Sequence, residues 1–237
     1  MKILFALFVF VPAFAILKAE EPDYSAFNRV LKRHVRAGKK TGIHAHLINY
    51  RALKGDADFT AALQTISAFD TAKLKTRAEK MAFYINAYNI AAIAKVLEKY
   101  PLTSIRASGD GVWKETAIAL AGKPYSLDGI ENQVLRPMRD ARIHFAIVCA
   151  SLSCPDLRTE AYTAAKLQAQ LEAQTRAFLA NESKGLRIEG NRILQSEIFV
   201  WFKEDFGDVA AFQARYRKGL PASGERLQIL YNWQLNE

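Results

Sequence analysis

One stretch of this 237-residue chain is apolar on nearly every side of the helix that it would form. A helix without a polar face has to be covered by the rest of a domain. Pro101 ends the stretch, because proline has no amide proton and disfavours helix at the residue before it. The sequence therefore predicts a central buried helix over residues 77–100. Its apolar positions are Met81, Phe83, Tyr84, Ile85, Tyr88, Ile90, Ala92, Ile93 and Leu97.

Shorter elements surround this helix and indicate an α+β fold. Ile143–Ala150 is a continuous run of β-type residues, which predicts a strand covered on both faces. Helices and hairpins in mixed order are typical of α+β proteins. No linker or repeat divides the chain, so we predict one domain over residues 20–237. Periodicity predicts helices over 24–37, 57–68, 129–138 and 163–180, extended segments at 43–50 and 227–231, and hairpins that pair 117–120 with 124–127 and 186–188 with 192–194.

The N-terminus is expected to direct export. Lys2 precedes an apolar run from Ile3 to Ala15, and small residues stand ahead of the acidic segment that begins at Glu20. That is the arrangement of a signal peptide over residues 1–19. The apolar run is shorter than the roughly 20 residues of a membrane-spanning helix. We therefore expect a periplasmic or secreted protein, with an uncleaved anchor as the alternative.

Basic residues are concentrated between Arg29 and Lys40 at spacings that form one face of a predicted helix. Such a face suits an anionic envelope polymer or a membrane surface, but it is more often simply a helix side exposed to water. No nucleic-acid-binding motif accompanies it, so we expect no nucleic-acid partner. The partner is otherwise unknown.

The two cysteines of the chain are the strongest chemical candidates. If Pro155 begins a short helix over 155–158, Cys154 would be its N-cap, where free amides favour a nucleophilic thiolate. Alternatively, both sulfurs serve only packing. A third interpretation is a local disulfide, since the four intervening residues can bring Cys149 and Cys154 close enough to bond.

A cysteine nucleophile needs a base, and His144 is the nearest histidine in sequence. In a regular strand, however, His144 and Cys149 would point to opposite faces and lie about 16 Å apart. His144 is then a hydrogen-bonded histidine at the start of a strand. His44 and His46 share a strand face but have no evident third ligand, so we predict no metal site and no cofactor.

Glu131 has two interpretations. With Asp128 as N-cap it would complete a capping box, and the other interpretation is a catalytic carboxyl. Asn86 and Asn89 lie in the predicted buried helix, where an unpaired amide costs roughly 1 to 3 kcal/mol. We expect both to bind neighbouring backbone and to support the segment from Cys149 to Pro155.

Several segments together resemble the family called domain of unknown function 547, over about residue 48 to the C-terminus. They are Phe83–Asn89, Ser126–Glu131, Arg142–Pro155, Ile198–Phe206 and Tyr231–Asn236. The resemblance implies a domain identity and export in bacterial members, but no settled activity. One departure is Asn132, since members commonly have histidine after the Ile-Glu pair.

These observations leave two hypotheses for function. The first is a cysteine-dependent hydrolase or acyl-transfer enzyme with Cys154 or Cys149 as nucleophile, and with Ser151, Ser153 and loop amides near the oxyanion. The second is a non-catalytic envelope-binding or structural module in which the cysteines form a local disulfide. A thiol-redox protein is a third possibility, although Cys-x4-Cys is not the spacing usual in redox motifs.

The signal-peptide interpretation predicts the size of the mature protein. A C-terminally tagged chain expressed in a Gram-negative host should be found in the periplasmic fraction, shortened by about 15 to 19 residues. Intact-mass measurement checks the cleavage position. Recovery of the full-length chain from membranes would contradict the prediction.

Overall fold

The computed structural model describes residues 20–221 and 223–237, and the predicted signal peptide lies outside them. The α-helices are α1 Ser25–His34, α2 Tyr50–Leu53, α3 Ala57–Ala68, α4 Arg77–Lys99, α5 Leu167–Ala180, α6 Ile198–Trp201, α7 Lys203–Phe206 and α8 Val209–Tyr216. The strands are β1 Val35–Lys40, β2 Ile43–Ile48, β3 Thr116–Leu120, β4 Lys123–Ser126, β5 Leu186–Glu189, β6 Arg192–Ser196 and β7 Glu225–Ile229. Short 3-10 helices cover Thr71–Lys73, Ile105–Ser108, Asp110–Trp113, Arg136–Met138 and Ala141–Phe145, and Gly129–Leu135 is a π-helix.

Helix α4 is the centre of the fold, as the sequence predicts. A capping box begins it, because Thr76 accepts from the amide of Glu79 while the carboxylate of Glu79 accepts from the amide of Thr76. The helix ends at Lys99, just before the residue that precedes Pro101. Phe83 is fully buried, with its ring 5.5 Å from that of Phe69. The α+β class and the central buried helix are confirmed.

The strands form three small sheets. β1 pairs antiparallel with β2. β3 pairs antiparallel with β4 and β5 with β6, so both predicted hairpins, 117–120 with 124–127 and 186–188 with 192–194, are confirmed. β6 lies between β5 and β7 and pairs in parallel with β7. The segment that carries α6, α7 and α8 connects these two parallel strands. It encloses a second cluster of buried aromatic residues, which are Phe145, Phe178, Phe199, Phe206 and Tyr216.

The predicted helix over 24–37 is too long. α1 ends at His34, and the chain then continues into β1 through a hairpin whose turn residues Thr41 and Gly42 both have positive φ. Pairing with β2 overrides the helical spacing of the charges. The basic residues thus lie on a helix and on a strand. Arg29 and Arg33 form ion pairs with acids at the start of α3, while Lys40 donates to the C-terminal backbone carbonyls.

The strand predicted over Ile143–Ala150 is also wrong, although the segment is buried. Asp140 accepts from the amide of Arg142 and starts a 3-10 turn that runs to Phe145. Beyond the turn, the amide of Val148 and the carbonyl of Ala146 both bond to the side chain of Asn89. A side chain of α4 thus takes the place of a neighbouring strand.

The helical turn predicted over 155–158 does not form, so Cys154 is not an N-cap. Asp156 explains the difference. Its carboxylate accepts from the amide of His46 and from Lys184, and its carbonyl accepts from Gln174. Groups from other elements therefore bind Asp156, and Gln174 takes the backbone carbonyl that a helical turn would have used. No helix in the described part of the chain is both long and apolar enough to cross a membrane.

The central position of α4 predicts a large effect of truncation at Phe83. Phe83→Ala should lower the free energy of unfolding by about 3 to 5 kcal/mol, because it removes a buried ring and leaves a cavity. Lys80→Ala, at an exposed position of the same helix, is the matched control and should change it by less than about 0.5 kcal/mol. Urea unfolding measures both. Equal effects of the two substitutions would contradict a central α4.

Candidate functional site

A cavity of about 140 Å³, which we call the aromatic cavity, lies between α4, the cysteine segment Cys149–Pro155 and the C-terminal segment Tyr231–Asn236. All three tryptophans of the chain line it, and so do both cysteines, Glu131 and His144. The remaining aromatic lining residues are Tyr88, Phe202 and Tyr231. A concave, mainly apolar site with a few convergent polar groups is the usual form of a ligand pocket.

The two sulfurs lie at disulfide distance in the wall of this cavity. Cys149 Sγ and Cys154 Sγ are 2.16 Å apart. The disulfide interpretation of the sequence is thus confirmed as a bonded-distance pair. Cys154 is only 3% exposed, whereas Cys149 is half-buried. The amide of Cys149 donates to Cys154 Sγ at 3.0 Å, and the hydroxyl of Tyr231 donates to it at 3.2 Å.

The backbone between the cysteines is fixed by the C-terminal segment. The amide of Leu152 donates to the carbonyl of Gln234, and that of Ser153 donates to the carbonyl of Asn232. Ser153 Oγ accepts from the amide of Asn232 in return. The side chains of Ser151 and Ser153 are buried, and Ser151 Oγ lies 3.5 Å from Cys149 Sγ. Ser153 therefore has a structural partner.

Lys184 holds the same segment from the opposite side. Its ammonium group is buried and donates to the carbonyl of Cys154 at 2.7 Å and to Asp156 Oδ1 at 2.6 Å. Burial lowers the pKa of Lys184, while the carboxylate of Asp156 opposes that shift. The sequence contained no signal for this contact, because Lys184 is 30 residues from Cys154.

Asn86 and Asn89 bind backbone, as expected from their place in a buried helix. Asn86 pairs with both the amide and the carbonyl of Tyr162, at 3.0 and 2.8 Å. Asn89 does the same across Ala146 and Val148, immediately before Cys149. The predicted support of the cysteine segment is thus direct for Asn89.

Glu131 lies on the π-helix Gly129–Leu135 and does not form the predicted capping box. Ser126 Oγ accepts from the amide of Gly129 instead, and the carboxylate of Asp128 accepts from Asn132. Single turns of π-helix are rare and often occur at functional sites. Glu131, on this π-helix, lines the aromatic cavity. Burial, the larger cause, and the nearby carboxylates of Asp128 and Asp205 raise its pKa to about 7, although Arg136 opposes the shift.

His144 lies beside Glu131 in the cavity wall. Its Nε2 is 2.7 Å from Asp205 Oδ2, and its Nδ1 is 3.7 Å from Glu131 Oε1. The ring stacks on Phe202 with centroids 4.0 Å apart. Burial lowers the pKa of His144 to about 4 despite the bond to Asp205, so the imidazole is neutral at pH 7. Arg136 binds Asp205 through two nitrogens and neutralises it.

The expectation that His144 and Cys149 point to opposite faces is therefore wrong. It depended on a regular strand, and the 3-10 turn over Ala141–Phe145 places both residues in the wall of one cavity. No described histidine forms a hydrogen bond with either sulfur, and His144 is bonded to Asp205. Sequence reasoning did not single out Asp205, Tyr231 or the tryptophans, although the first two stand in segments that carry the family resemblance.

His44 and His46 form hydrogen bonds with neighbouring segments and do not line the aromatic cavity. The amide of His46 donates to Asp156, and its Nδ1 is 2.6 Å from the carbonyl of Leu157. The carbonyl of His44 accepts from Asn181. In residues 20–221 and 223–237, no group of three or more histidines, cysteines and acids is arranged to hold a metal ion.

The fold and the site define an α+β protein with a cysteine pair in an aromatic cavity. Residues 71–179 match the family model described as "Protein of unknown function, DUF547". The family resemblance is thereby confirmed over α4, Glu131, His144 and both cysteines, while Asp205 and Tyr231 lie outside the matched residues. No curated protein matches the chain, and no solved structure matches it either.

The raised pKa of Glu131 predicts how stability depends on pH. Its protonated form favours the folded state, so this contribution is complete below the ordinary glutamate pKa of 4.5 and is lost as pH rises through about 7. Glu131→Gln stays neutral and should escape that loss. Between about pH 4 and pH 8 the wild type should lose on the order of 3 kcal/mol more than the variant.

Urea unfolding at several pH values measures this difference. Glu189→Gln, at an exposed acid of β5, is the control and should behave as the wild type does. The lowered pKa of His144 acts in the opposite direction and is present in all three proteins: its contribution is lost as pH falls from about 6.5 towards 4. Parallel curves for the wild type and Glu131→Gln would contradict the raised pKa.

Proposed function

We propose that this protein is exported and that its Cys149–Cys154 pair undergoes thiol–disulfide exchange with a thiol that enters the aromatic cavity. One observation carries the proposal: the two sulfurs, at bonding distance, form part of the wall of the aromatic cavity. A disulfide that serves only to link two parts of a chain has no need of such a position. Export supports a closed pair, because disulfides persist outside the reducing cytosol.

The two sulfurs have different surroundings, which suit different roles. Cys149 is the more exposed residue of the two, so we assign its sulfur as the one that an entering thiolate attacks. Cys154 Sγ receives hydrogen bonds from the amide of Cys149 at 3.0 Å and from the hydroxyl of Tyr231 at 3.2 Å. The same hydroxyl lies 3.4 Å from Cys149 Sγ, which receives no hydrogen bond from an amide of the described backbone. Hydrogen bonds to a charged group are worth about 1.5 to 3 kcal/mol. They therefore favour Cys154 as the leaving thiolate.

The reaction with a dithiol reductant has two steps. The sulfur of an entering thiolate bonds to Cys149, the bond between Cys149 and Cys154 breaks, and its electron pair passes to Cys154 Sγ. The second thiol of the reductant then displaces Cys149 Sγ. The dithiol leaves as a cyclic disulfide, and its two protons pass to the two protein sulfurs.

Glu131 is placed to carry one of these protons. It lines the same cavity as both sulfurs, and a pKa of about 7 allows a carboxyl to gain or lose a proton at neutral pH. His144, which is held by Asp205, fixes one side of the space in which Glu131 lies. Glu131 is therefore the proton carrier in the proposed exchange.

A second candidate is the cysteine-dependent hydrolase or acyl-transfer enzyme. The pairing of His144 with Asp205, in the same cavity as the sulfurs, favours it, because a nucleophile's base is commonly oriented by a third group. The backbone supports it less. The amides of Leu152, Ser153 and Cys154 all donate to carbonyls, so the cysteine segment does not offer them to an oxyanion. The pair would also have to be reduced first.

A non-catalytic envelope module remains the other proposal, with the pair as a local disulfide and the basic residues between Arg29 and Lys40 towards an anionic polymer or membrane surface. The ion pairs of Arg29 and Arg33 with Asp56 and Asp58 reduce the charge available for such a contact. This module would keep its disulfide closed whenever it is folded.

Single-cysteine variants test the exchange. Cys154→Ser leaves the accessible Cys149 and should form a mixed disulfide with an aromatic disulfide reagent at least about tenfold faster than Cys149→Ser, which leaves the buried sulfur. In the two-cysteine protein, Tyr231→Phe should slow opening by dithiothreitol about tenfold, since it removes a donor to the leaving sulfur. Alkylation and intact-mass measurement follow both reactions.

The remaining hypotheses give different results in the same experiments. A disulfide that resists dithiothreitol until the protein unfolds would contradict exchange and support the structural module. A reduced protein that forms a stable acyl adduct with an activated ester, and loses it in Cys149→Ser, would support acyl transfer. Circular dichroism shows that each variant is folded before its reactivity is compared.

A further inference from the structure

We infer that the aromatic cavity binds an organic cation, such as a substituted ammonium group, with the carboxylate of Glu131 as its counter-charge. This inference concerns the ligand of the same cavity as the proposed exchange. It needs the cavity in its closed-disulfide form only, so it can hold or fail separately from the chemistry of the sulfurs.

The lining of the cavity is suited to a cation. Trp113, Trp201 and Trp233 line it together with Tyr88 and Tyr231. The rings support one another: Trp201 stacks on Trp233 with centroids 5.6 Å apart, and Tyr231 lies 4.5 Å from Trp233. Tryptophan and tyrosine rings attract cations electrostatically, and clusters of them recognise quaternary ammonium groups.

A cationic side chain of the protein itself already lies over one of these rings. The guanidinium carbon of Arg106 is 4.9 Å from the centroid of Trp233. The indole of Trp233 therefore has a cation contact within the folded protein. The other aromatic rings of the cavity can make the same kind of cation contact with a ligand.

The side chains that line the cavity favour a cation over an anion, although two guanidinium groups lie over lining rings, Arg106 over Trp233 and Arg136 over Phe202. Glu131 is the one acid in the lining, and the one other ionisable side chain besides the tyrosines is His144, which is neutral at pH 7. No lysine or arginine of the described residues forms an ion pair with Glu131. Arg136, the nearest candidate, is bonded to Asp205 and Asn132. The carboxyl thus lacks a cationic partner that a ligand could supply.

The size of the cavity limits the ligand to a head group. A volume of about 140 Å³ corresponds to roughly four or five water molecules. Trp201 is 44% exposed and stands at the cavity's edge, next to Tyr231. A small ammonium group fits inside, and the rest of a larger molecule would extend past Trp201.

Choline and its uncharged carbon analogue, 3,3-dimethyl-1-butanol, test the inference on the wild-type protein. They have the same shape, but only choline is charged. Choline should bind the oxidised protein at least about tenfold more tightly, measured by tryptophan fluorescence and calorimetry. This comparison needs no variant, so a folding defect cannot obscure it. Equal affinity for the two compounds would overturn the inference.

The counter-charge is tested by substitution. Glu131→Gln should weaken choline binding at least about tenfold and leave the binding of the uncharged analogue unchanged. Glu204→Gln is the matched control, because Glu204 lines a separate polar cavity on the other side of Asp205. It should bind choline as the wild type does. Unchanged choline affinity in Glu131→Gln would overturn the assignment of the counter-charge.

Proton release gives an independent measure. A cation favours the ionised carboxylate, so choline affinity should rise as pH increases through about 7 and binding should release protons, which calorimetry in two buffers detects. The charged and titratable groups around Glu131 are His144, Asp128, Arg136, Asp205, Tyr88 and Tyr231. Glu131→Gln should abolish the release. Release that persists in the variant would assign it to another of these groups and overturn the inference.

The exchange reaction is measured on the same preparations. If choline binds tightly but the disulfide is inert, the result supports the cation site and contradicts the proposed exchange. If the disulfide exchanges but the protein does not prefer choline to the uncharged analogue, the result supports the exchange and contradicts the cation site.

Discussion

The structure depends on how α4 satisfies the backbone of the segment that leads to Cys149. A buried backbone group without a partner costs about 1 to 3 kcal/mol, and this segment has no neighbouring strand. Asn89 supplies both a donor and an acceptor, to the carbonyl of Ala146 and the amide of Val148. Asn86 does the same for Tyr162, on the far side of the cysteine pair. One helix therefore fixes the segments on both sides of the sulfurs.

The opposite side of the cysteine segment is held by contacts that are equally restrictive. Lys184 reaches the carbonyl of Cys154 because the next residue is glycine: a Cβ at Gly185 would lie 1.8 Å from the carbonyl oxygen of Phe178. The C-terminal segment completes the arrangement through Asn232 and Gln234. With α4 on one side and these contacts on the other, the sulfurs keep a defined position in the cavity wall while the cavity itself stays open.

Local patterns of the sequence were sufficient for the fold class and for much of the architecture. The apolar stripes and Pro101 give α4 to within a residue, and Ala57–Ala68 matches its predicted helix. The errors occur where side chains replace regular backbone pairing. Ile143–Ala150 has the composition of a buried strand, but its hydrogen-bond partner is Asn89, more than 50 residues earlier. The pattern of residues within the segment cannot predict a partner so far away in the sequence.

The site was predictable in its residue types more than in its geometry. Cysteines, Glu131 and His144 were all singled out, since they carry the chemistry. Their assembly into one cavity depends on a π-helix and a 3-10 turn, whose short irregular paths do not follow from apolar spacing. Tyr231 and Asp205 come from distant parts of the chain. Their roles follow only once the C-terminal segment and α7 are packed against the cysteine segment.

The electrostatics of the cavity follow from this packing. Arg136 neutralises Asp205, so the bond from His144 to Asp205 orients the imidazole without bringing enough negative charge to keep it protonated against burial. A neutral imidazole adds no positive charge beside Glu131, and Arg136 opposes the effect of burial only in part, so the carboxyl stays protonated up to about pH 7. The cavity is thus uncharged when empty at slightly acidic pH, and it can gain one negative charge at the cost of a single proton. The proposed exchange and the proposed cation site both use that one carboxyl, the first as a proton carrier and the second as a counter-charge.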